Sequence, residues 1–160
     1  MKEIPLTQGK VALVDDDMYE YLNQWKWHYF KVPGAKTGYA RRIDKHDGHN
    51  KSIRMHRVIM NTPPWFEVDH RDHNGCNNQR YNMRNCTQSQ NARNRSIQKN
   101  NSSGYKGVNW DKKSKKWKAQ IRIDGQKRYL GLFTSILDAS CAYDEAANKH
   151  YGEFACINTI

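Results

Sequence analysis

Hydrophobic and polar positions change their period several times along this chain, and each change marks an element. Lys10-Val11-Ala12-Leu13-Val14 reads as a strand. Asp15-Asp16-Asp17 then stands before an apolar period that predicts a short helix through Leu22, so this acidic run is a helix start rather than a metal site. Trp25 to Phe30 alternates as a further strand, and Trp25, Trp27 and Trp65 are expected in the core. Gly38 to Ile43 and Ser52 to Met55 predict two more strands across the turn-rich Asp47-Gly48-His49-Asn50. His56 to Met60 is expected to be helical until Pro63-Pro64 stops it. His56, beside basic residues, suits either a phosphate contact or a structural role.

Glu67-Val68-Asp69-His70 can end a strand, Asn74-Gly75 is a strong turn signal, and Thr87-Gln88-Ser89-Gln90 fits a capping box that sets Asn91 near the first turn of a short helix. From Ser96 to Ser103 the chain turns to Ser, Asn, Gln and Lys without an apolar period, the composition of a linker. Beyond it, Tyr105 to Trp110, Lys116 to Ile123 and Gln126 to Phe133 predict three strands, the last two joined by Asp124-Gly125. In the middle strand Trp117, Ala119, Ile121 and Ile123 alternate with Lys118, Gln120 and Arg122, giving one apolar and one basic face. The capping box Ser135 to Asp138 opens a helix to about Tyr151, whose Ala139, Ala142 and Ala146 allow close approach to the apolar face, and Gly152 ends it. The expected class is α+β. The expected boundaries are a mixed segment and first domain over 1–95, with its core at about 53–95, a linker over 96–103 and a second domain over 104–160.

Composition narrows the partners. With 37% hydrophobic residues in 160, one domain or two small ones can form, and no apolar run is long enough for a membrane span. The first residues carry no signal-peptide core, so a cytoplasmic, non-secreted protein with thiol cysteines is expected, and Cys141 and Cys156 are expected as small core residues. A net charge of +11 and a pI near 9.6 point to nucleic acid, because Lys and Arg that neutralise phosphates release condensed counterions. No basic amphipathic helix suggests a membrane surface.

The chemistry concentrates between Val68 and Asn94. Carboxylate and amide oxygens are hard ligands suited to a hydrated divalent ion such as Mg2+, with Mn2+ able to serve the same site, and Asp69 and Asn91 offer them. His70 is the natural base for an attacking water near neutral pH, and the amide oxygen of Asn82 is a candidate to hold its other ring nitrogen. Arg80, Arg84 and Arg93 are candidates to steady phosphate charge. An alternative set, His70, His73, Cys76 and Cys86, has spacing within reach of a structural zinc but lacks paired Cys-x-x-Cys knuckles.

Asp69-His70, Asn82-Met83-Arg84 and Asn91-Ala92-Arg93-Asn94 together resemble the HNH endonucleases, specifically the phage-type homing enzymes with a ββα-metal site. The resemblance implies Asp69 and Asn91 as metal ligands, His70 as general base and Asn82 as its orienting partner. His73 stands where such loops usually carry a small or polar residue, which raises an extra ligand or phosphate contact. Gly104-Tyr105-Lys106-Gly107-Val108, Trp117 to Arg122, Tyr129 to Phe133 and Ala142 to Ala147 resemble the Apetala-two/ethylene-response-factor DNA-binding domain. In that family the sheet enters the major groove. The carry-over names Lys106, Asn109, Lys118, Gln120, Arg122, Lys127 and Tyr129 as DNA-binding, with a base preference different from that of the plant regulators.

These readings converge on a metal-dependent endonuclease acting on double-stranded DNA without a small-molecule cofactor, as a monomer or DNA-dependent dimer. The pairing of modules looks like a phage or mobile-element gene, which would place the protein in a bacterial host's cytoplasm. The competing reading is a non-catalytic DNA-binding regulator with a relic or zinc-stabilised scaffold.

Overall fold

The computed structural model describes residues 1–46, 48–98 and 100–158. The expected turn residue Asp47 and the linker residue Lys99 lie outside them. Two compact units divide the chain, Met1–Gln88 and Ser89–Ile160. The division falls before the expected linker, so most of the helix carrying Asn91 belongs to the second unit.

In the first unit β1 (Lys2–Pro5) pairs antiparallel with β2 (Val11–Val14), and α1 (Asp16–Leu22) follows. The first strand has no clear signature, since Pro5 and two charged residues interrupt it, and only its pairing with the apolar β2 makes it a strand. Asp15 stands at the N-cap of α1, but its side chain makes no capping hydrogen bond. A three-stranded sheet orders β3 (His28–Phe30), β4 (Tyr39–His46) and β5 (His49–Arg54). The expected strand from Trp25 is cut to three residues because Trp27 is drawn into the core, its indole N–H donating to Leu22 O at 2.8 Å. Trp27 packs there with Ile4, Val14, Leu22, Ala40 and Met55, and Trp25 lies against them. A short α2 (Met55–Ile59) follows, and then β6 (Glu67–His70) pairs with β7 (Met83–Cys86).

The second unit begins in α3 (Gln88–Arg93). Strands β8 (Val108–Asp111), β9 (Lys116–Ile123) and β10 (Gln126–Phe133) form an antiparallel sheet with β9 in the middle, and α4 (Ile136–Tyr151) covers one face. Ser135 caps α4 by accepting from the amides of Leu137 and Asp138, as its capping box predicts. Ala119 and Ile121 of β9 are buried with Ala139, Tyr143 and Ala147 of α4, so the apolar face is the one its alternation predicts. Gly107 adopts a φ of +76°, and a Cβ there would run into the Tyr143 ring, so backbone and packing both demand glycine. Cys141 is exposed on α4, against its expectation as a core residue, and Cys156 is half-buried. Among the described residues no helix is long and apolar enough to cross a membrane.

Candidate active site and nucleic-acid interface

Strand pairing brings Asp69 opposite Arg84 and His70 opposite Met83. Both Asp69 and His70 are buried, 4% and 6% exposed. The Arg84 guanidinium grips Asp69 Oδ2 through Nε at 2.8 Å and an Nη at 2.6 Å. Arg84 is itself buried, which corrects its expected role as an exposed phosphate contact: the side chain faces a carboxylate across the hairpin.

The loop from 71 to 82 is closed by its amides. Asn82 Oδ1 accepts from the Asp72 amide at 3.1 Å, and its Nδ2 donates to Asp72 Oδ1 and Asn77 O, both at 2.9 Å. Asn77 Nδ2 reaches the other Asp72 oxygen at 2.8 Å. Burial pushes the Asp72 carboxyl up, but the hydrogen bonds from Asn74, Asn77 and Asn82 outweigh it and hold the group below its ordinary value. The loop is also docked on β2, with Leu13 N donating to Cys76 O at 2.9 Å and Asn78 N to Leu13 O at 2.8 Å. Gly75 leaves no room for a Cβ against Gly38 O and the Tyr39 ring. Its role is this close approach, whereas the left-handed residue of the loop is His73, with a φ of +62°.

This docking buries Asn78 completely, and Asn78 rather than Asn82 holds the histidine: His70 Nε2 lies 3.3 Å from Asn78 Oδ1. Asn78 Nδ2 donates to Cys76 O at 3.4 Å and Met55 Sδ at 3.5 Å, which turns the amide oxygen towards the ring. An oxygen there assigns the proton to Nε2 and makes Nδ1 the basic nitrogen. Asn82 therefore acts as a staple of the loop, a correction to its expected role as the histidine's partner. The sequence shows Asn77-Asn78 only as part of an amide-rich turn, and contact with the Leu13 backbone is what distinguishes Asn78.

His56 is a second residue whose position the pattern left open. It is 4% exposed, with its ring 5.3 Å from His70 and 5.3 Å from Tyr39, so it does not face phosphate. Its Nδ1 is buried without a hydrogen-bond partner among the described residues. Burial lowers the pKa of both imidazoles, His56 well below its ordinary value, with the charge of neighbouring groups adding to the effect there. A neutral His70 is the form able to accept a proton.

The thiols behave as protonated, packed groups. Cys86 donates to Glu67 O, and its pKa is pushed up to about 11 by burial; Cys76 donates to Gly38 O and is raised for the same reason. Among the described residues no group of three or more His, Cys, Asp and Glu side chains is gathered as for a metal ion, so His70, His73, Cys76 and Cys86 do not converge.

Of the remaining candidates, Arg80 is tied to the acidic run ahead of α1, its amide donating to Asp15 and its Nη1 to both oxygens of Asp17 at 2.8 and 2.9 Å. Asn91 lies in α3 within the second unit. Arg93 sits 3.7 Å from Asp124 and over the Tyr151 ring.

On the sheet, register sets Asn109 opposite Lys118, Lys127 opposite Arg122 and Tyr129 opposite Gln120, on the face away from α4. Tyr129 is 63% exposed, and Asn109 Oδ1 has no hydrogen-bond partner among the described residues. Arg122 donates to Gly125 O and Lys118 lies 3.8 Å from Asp111. Lys106 departs from the face. Its ammonium donates to the carbonyls of Arg93 and Arg95, and burial lowers its pKa. A pocket of about 420 Å³ within this unit gathers Arg93, Lys106, Gln120, Arg122 and Lys127.

The chain is 29% identical over 159 residues to an uncharacterized HNH endonuclease of Acanthamoeba polyphaga mimivirus, covering 96% of this chain and 77% of that protein. It is 43% identical over 56 residues to dehydration-responsive element-binding protein 2C of Arabidopsis thaliana, covering 34% of this chain and only 16% of the plant protein. No family model matches the chain, and no solved structure matches it significantly. Protein 3.8 of Escherichia phage T7 is 31% identical over 93 residues, which make up 58% of this chain and 76% of that protein. The chain belongs to the family of that phage protein.

Proposed function

We propose that this protein is a metal-dependent DNA endonuclease, with His70 as general base and the open sheet face of the second unit as its duplex-binding surface. The observation that carries the reading is the buried His70 beside Asp69, its pKa lowered by burial and its Nε2 held by Asn78. Such an imidazole takes the proton from an attacking water at Nδ1. Asn82 and Asp72 keep the loop closed so that Asn78 stays in place. The similarity to an HNH endonuclease over nearly the whole chain supports the same reaction class.

Asp69 and Asn91 are the proposed metal ligands, and their oxygens suit Mg2+ or Mn2+. Asp69 Oδ2 already carries the Arg84 guanidinium, but a carboxylate has about four acceptor sites, so the donor chemistry fits with Arg84 retained. A bound divalent ion supplies charge neutralisation at the scissile phosphate. Lys118, Gln120, Arg122, Lys127 and Tyr129 are proposed to bind DNA, with the similarity to a plant element-binding protein as support. The Arg84 pair also favours a second reading, in which Asp69 is a structural carboxylate and the protein a regulator that binds without cutting.

The full chain and its His70→Ala variant, incubated with plasmid and phage DNA in Mg2+, in Mn2+ and in chelator, separate the two. Discrete metal-dependent breaks that fall at least about a hundredfold in the variant, with DNA affinity kept, support the endonuclease. Binding without cleavage across metals and substrates overturns it.

A further inference from the structure

Trp65 departs from its expected place in the core. At 78% exposure it is the most exposed large apolar side chain among the described residues. An exposed tryptophan on a loose loop would need no explanation, but this loop is held at every step. The Arg57 guanidinium donates to the carbonyls of Phe66 at 2.8 Å, Pro63 at 2.8 Å and Thr62 at 3.2 Å. Thr62 Oγ1 donates to Asn85 Oδ1, and Asn85 Nδ2 donates back to Met60 O. Asn61 holds a left-handed φ of +43° at the start of the loop, and Pro63-Pro64 restrict the residues just before the tryptophan. A guanidinium, two side-chain bonds and a strained residue thus fix a segment that contributes nothing to the core.

Partner chemistry follows from what surrounds the indole. Its chain neighbours Pro63, Pro64 and Phe66 are apolar, but Pro63 and Phe66 are half-buried, so the indole is the one large apolar side chain this loop exposes, short of the contiguous apolar patch a protein partner would bury. The net charge of +11 opposes a second copy of this chain and favours a polyanion. His70 follows five residues later, at most about 18 Å away along an extended chain. That is roughly five base-pair steps of a duplex. Trp65 is therefore close enough to His70 for one duplex to span both.

We propose that Trp65, presented by the Arg57 clamp, is a DNA-contacting residue that stacks on or wedges between bases within about five pairs of the scissile bond. The proposal rests on the endonuclease reading above. Rigid aromatic insertion gives affinity that is not electrostatic and positions the duplex relative to the cut.

The test uses full-length wild type, Trp65→Ala and Trp65→Phe with a duplex bearing a mapped cut site, with calcium in place of magnesium to keep the duplex intact. Trp65→Ala is expected to weaken binding roughly tenfold. The slope of log affinity against log salt should stay unchanged, because no phosphate contact is lost. Trp65→Phe should recover most of the affinity. A 2-aminopurine scanned through the site should brighten on wild-type binding at one position, and not with Trp65→Ala. Equal affinity and equal 2-aminopurine response in wild type and Trp65→Ala overturn this inference alone. So does a change of self-association in Trp65→Ala, seen by sedimentation, without a change in DNA affinity. Wild-type protein that binds no duplex overturns the endonuclease reading as well.

Discussion

The two units solve the same problem with opposite means. The Ser89–Ile160 unit is built on regular periods: a sheet with alternating faces, a capped helix and a glycine at position 107, where backbone and packing both demand one. It carries thirteen Lys and Arg against six Asp and Glu, and Lys118, Arg122 and Lys127 stand on the sheet face away from α4. The Met1–Gln88 unit carries fourteen Lys and Arg against ten Asp and Glu, and its carboxylates are engaged locally: Asp69 with Arg84, Asp72 with the loop amides, Asp15 and Asp17 with Arg80. A surface for a polyanion needs cations left facing outward. A site for chemistry needs polar groups buried and mutually fixed, because only then are their orientations and protonation states set before substrate arrives.

The comparison breaks first at Gly107. Gly107→Ala forces an L side chain into positive φ and against Tyr143, and is expected to destabilise the Ser89–Ile160 unit by about 3 kcal/mol or more. Amide hydrogen exchange should report faster opening in β8 to β10 and α4, with β1 and β2 unchanged. Parallel loss of protection in both units would mean that they do not fold as separate bodies.

Asn78→Ala should come next. It removes the partner of His70 Nε2 and the tie to Cys76 O, and cleavage should fall about tenfold to a hundredfold while the unit stays folded. Asn82→Ala should act through the loop instead, lowering the melting temperature of the first unit along with activity, since two buried groups lose partners at about 1–3 kcal/mol each. Cleavage unaffected by Asn78→Ala would return the orienting role to another group.

Arg122→Ala should weaken DNA binding about fivefold and reduce the salt slope by about one, with no change in thermal stability. An unchanged slope would mean that the open sheet face is not the polyanion surface.

The most gradual effect is with pH. His56 has a folded pKa well below its unfolded value of about 6.5, and that of His70 is also lowered, so the unfolded chain binds more protons in this window. The contribution of these two histidines to the first unit's stability is therefore fully present above about pH 6.5 and is lost as pH falls from there towards their folded pKa values. The second unit has only the exposed His150 as a histidine, and its melting should be flatter between pH 6.5 and about 5. Chemical denaturation followed unit by unit measures the difference.

These particulars bear on what was legible beforehand. The last two strands and the helix of the second unit fall where their periods predict, because each element's local preference agrees with the face it buries, while the first strand begins at Val108 rather than Tyr105. In the first unit α1, α2 and β6 are foreseen, while the pattern shows neither β1 nor β7 and the strand at Trp25 is shortened. Asp69 and His70 come out adjacent and buried at a strand end. The partners assigned to them from spacing alone, Asn82 for the imidazole and a phosphate for Arg84, are replaced by Asn78 and by Asp69.

Residue order by itself determined the periods, the turns, the cationic surface and the identity of the chemical groups, since each depends on neighbours a few positions apart or on composition. Tertiary structure decided which amide reaches His70, which cation reaches Asp69, and that Trp65 faces solvent while Trp27 does not. Those outcomes depend on the 71–82 loop docking on β2 and on Arg57 capping three carbonyls. The first of these joins segments distant along the chain and the second is a side chain folding back on its own loop, and hydrophobic period carries no information about which of several equivalent amides and guanidinia will meet.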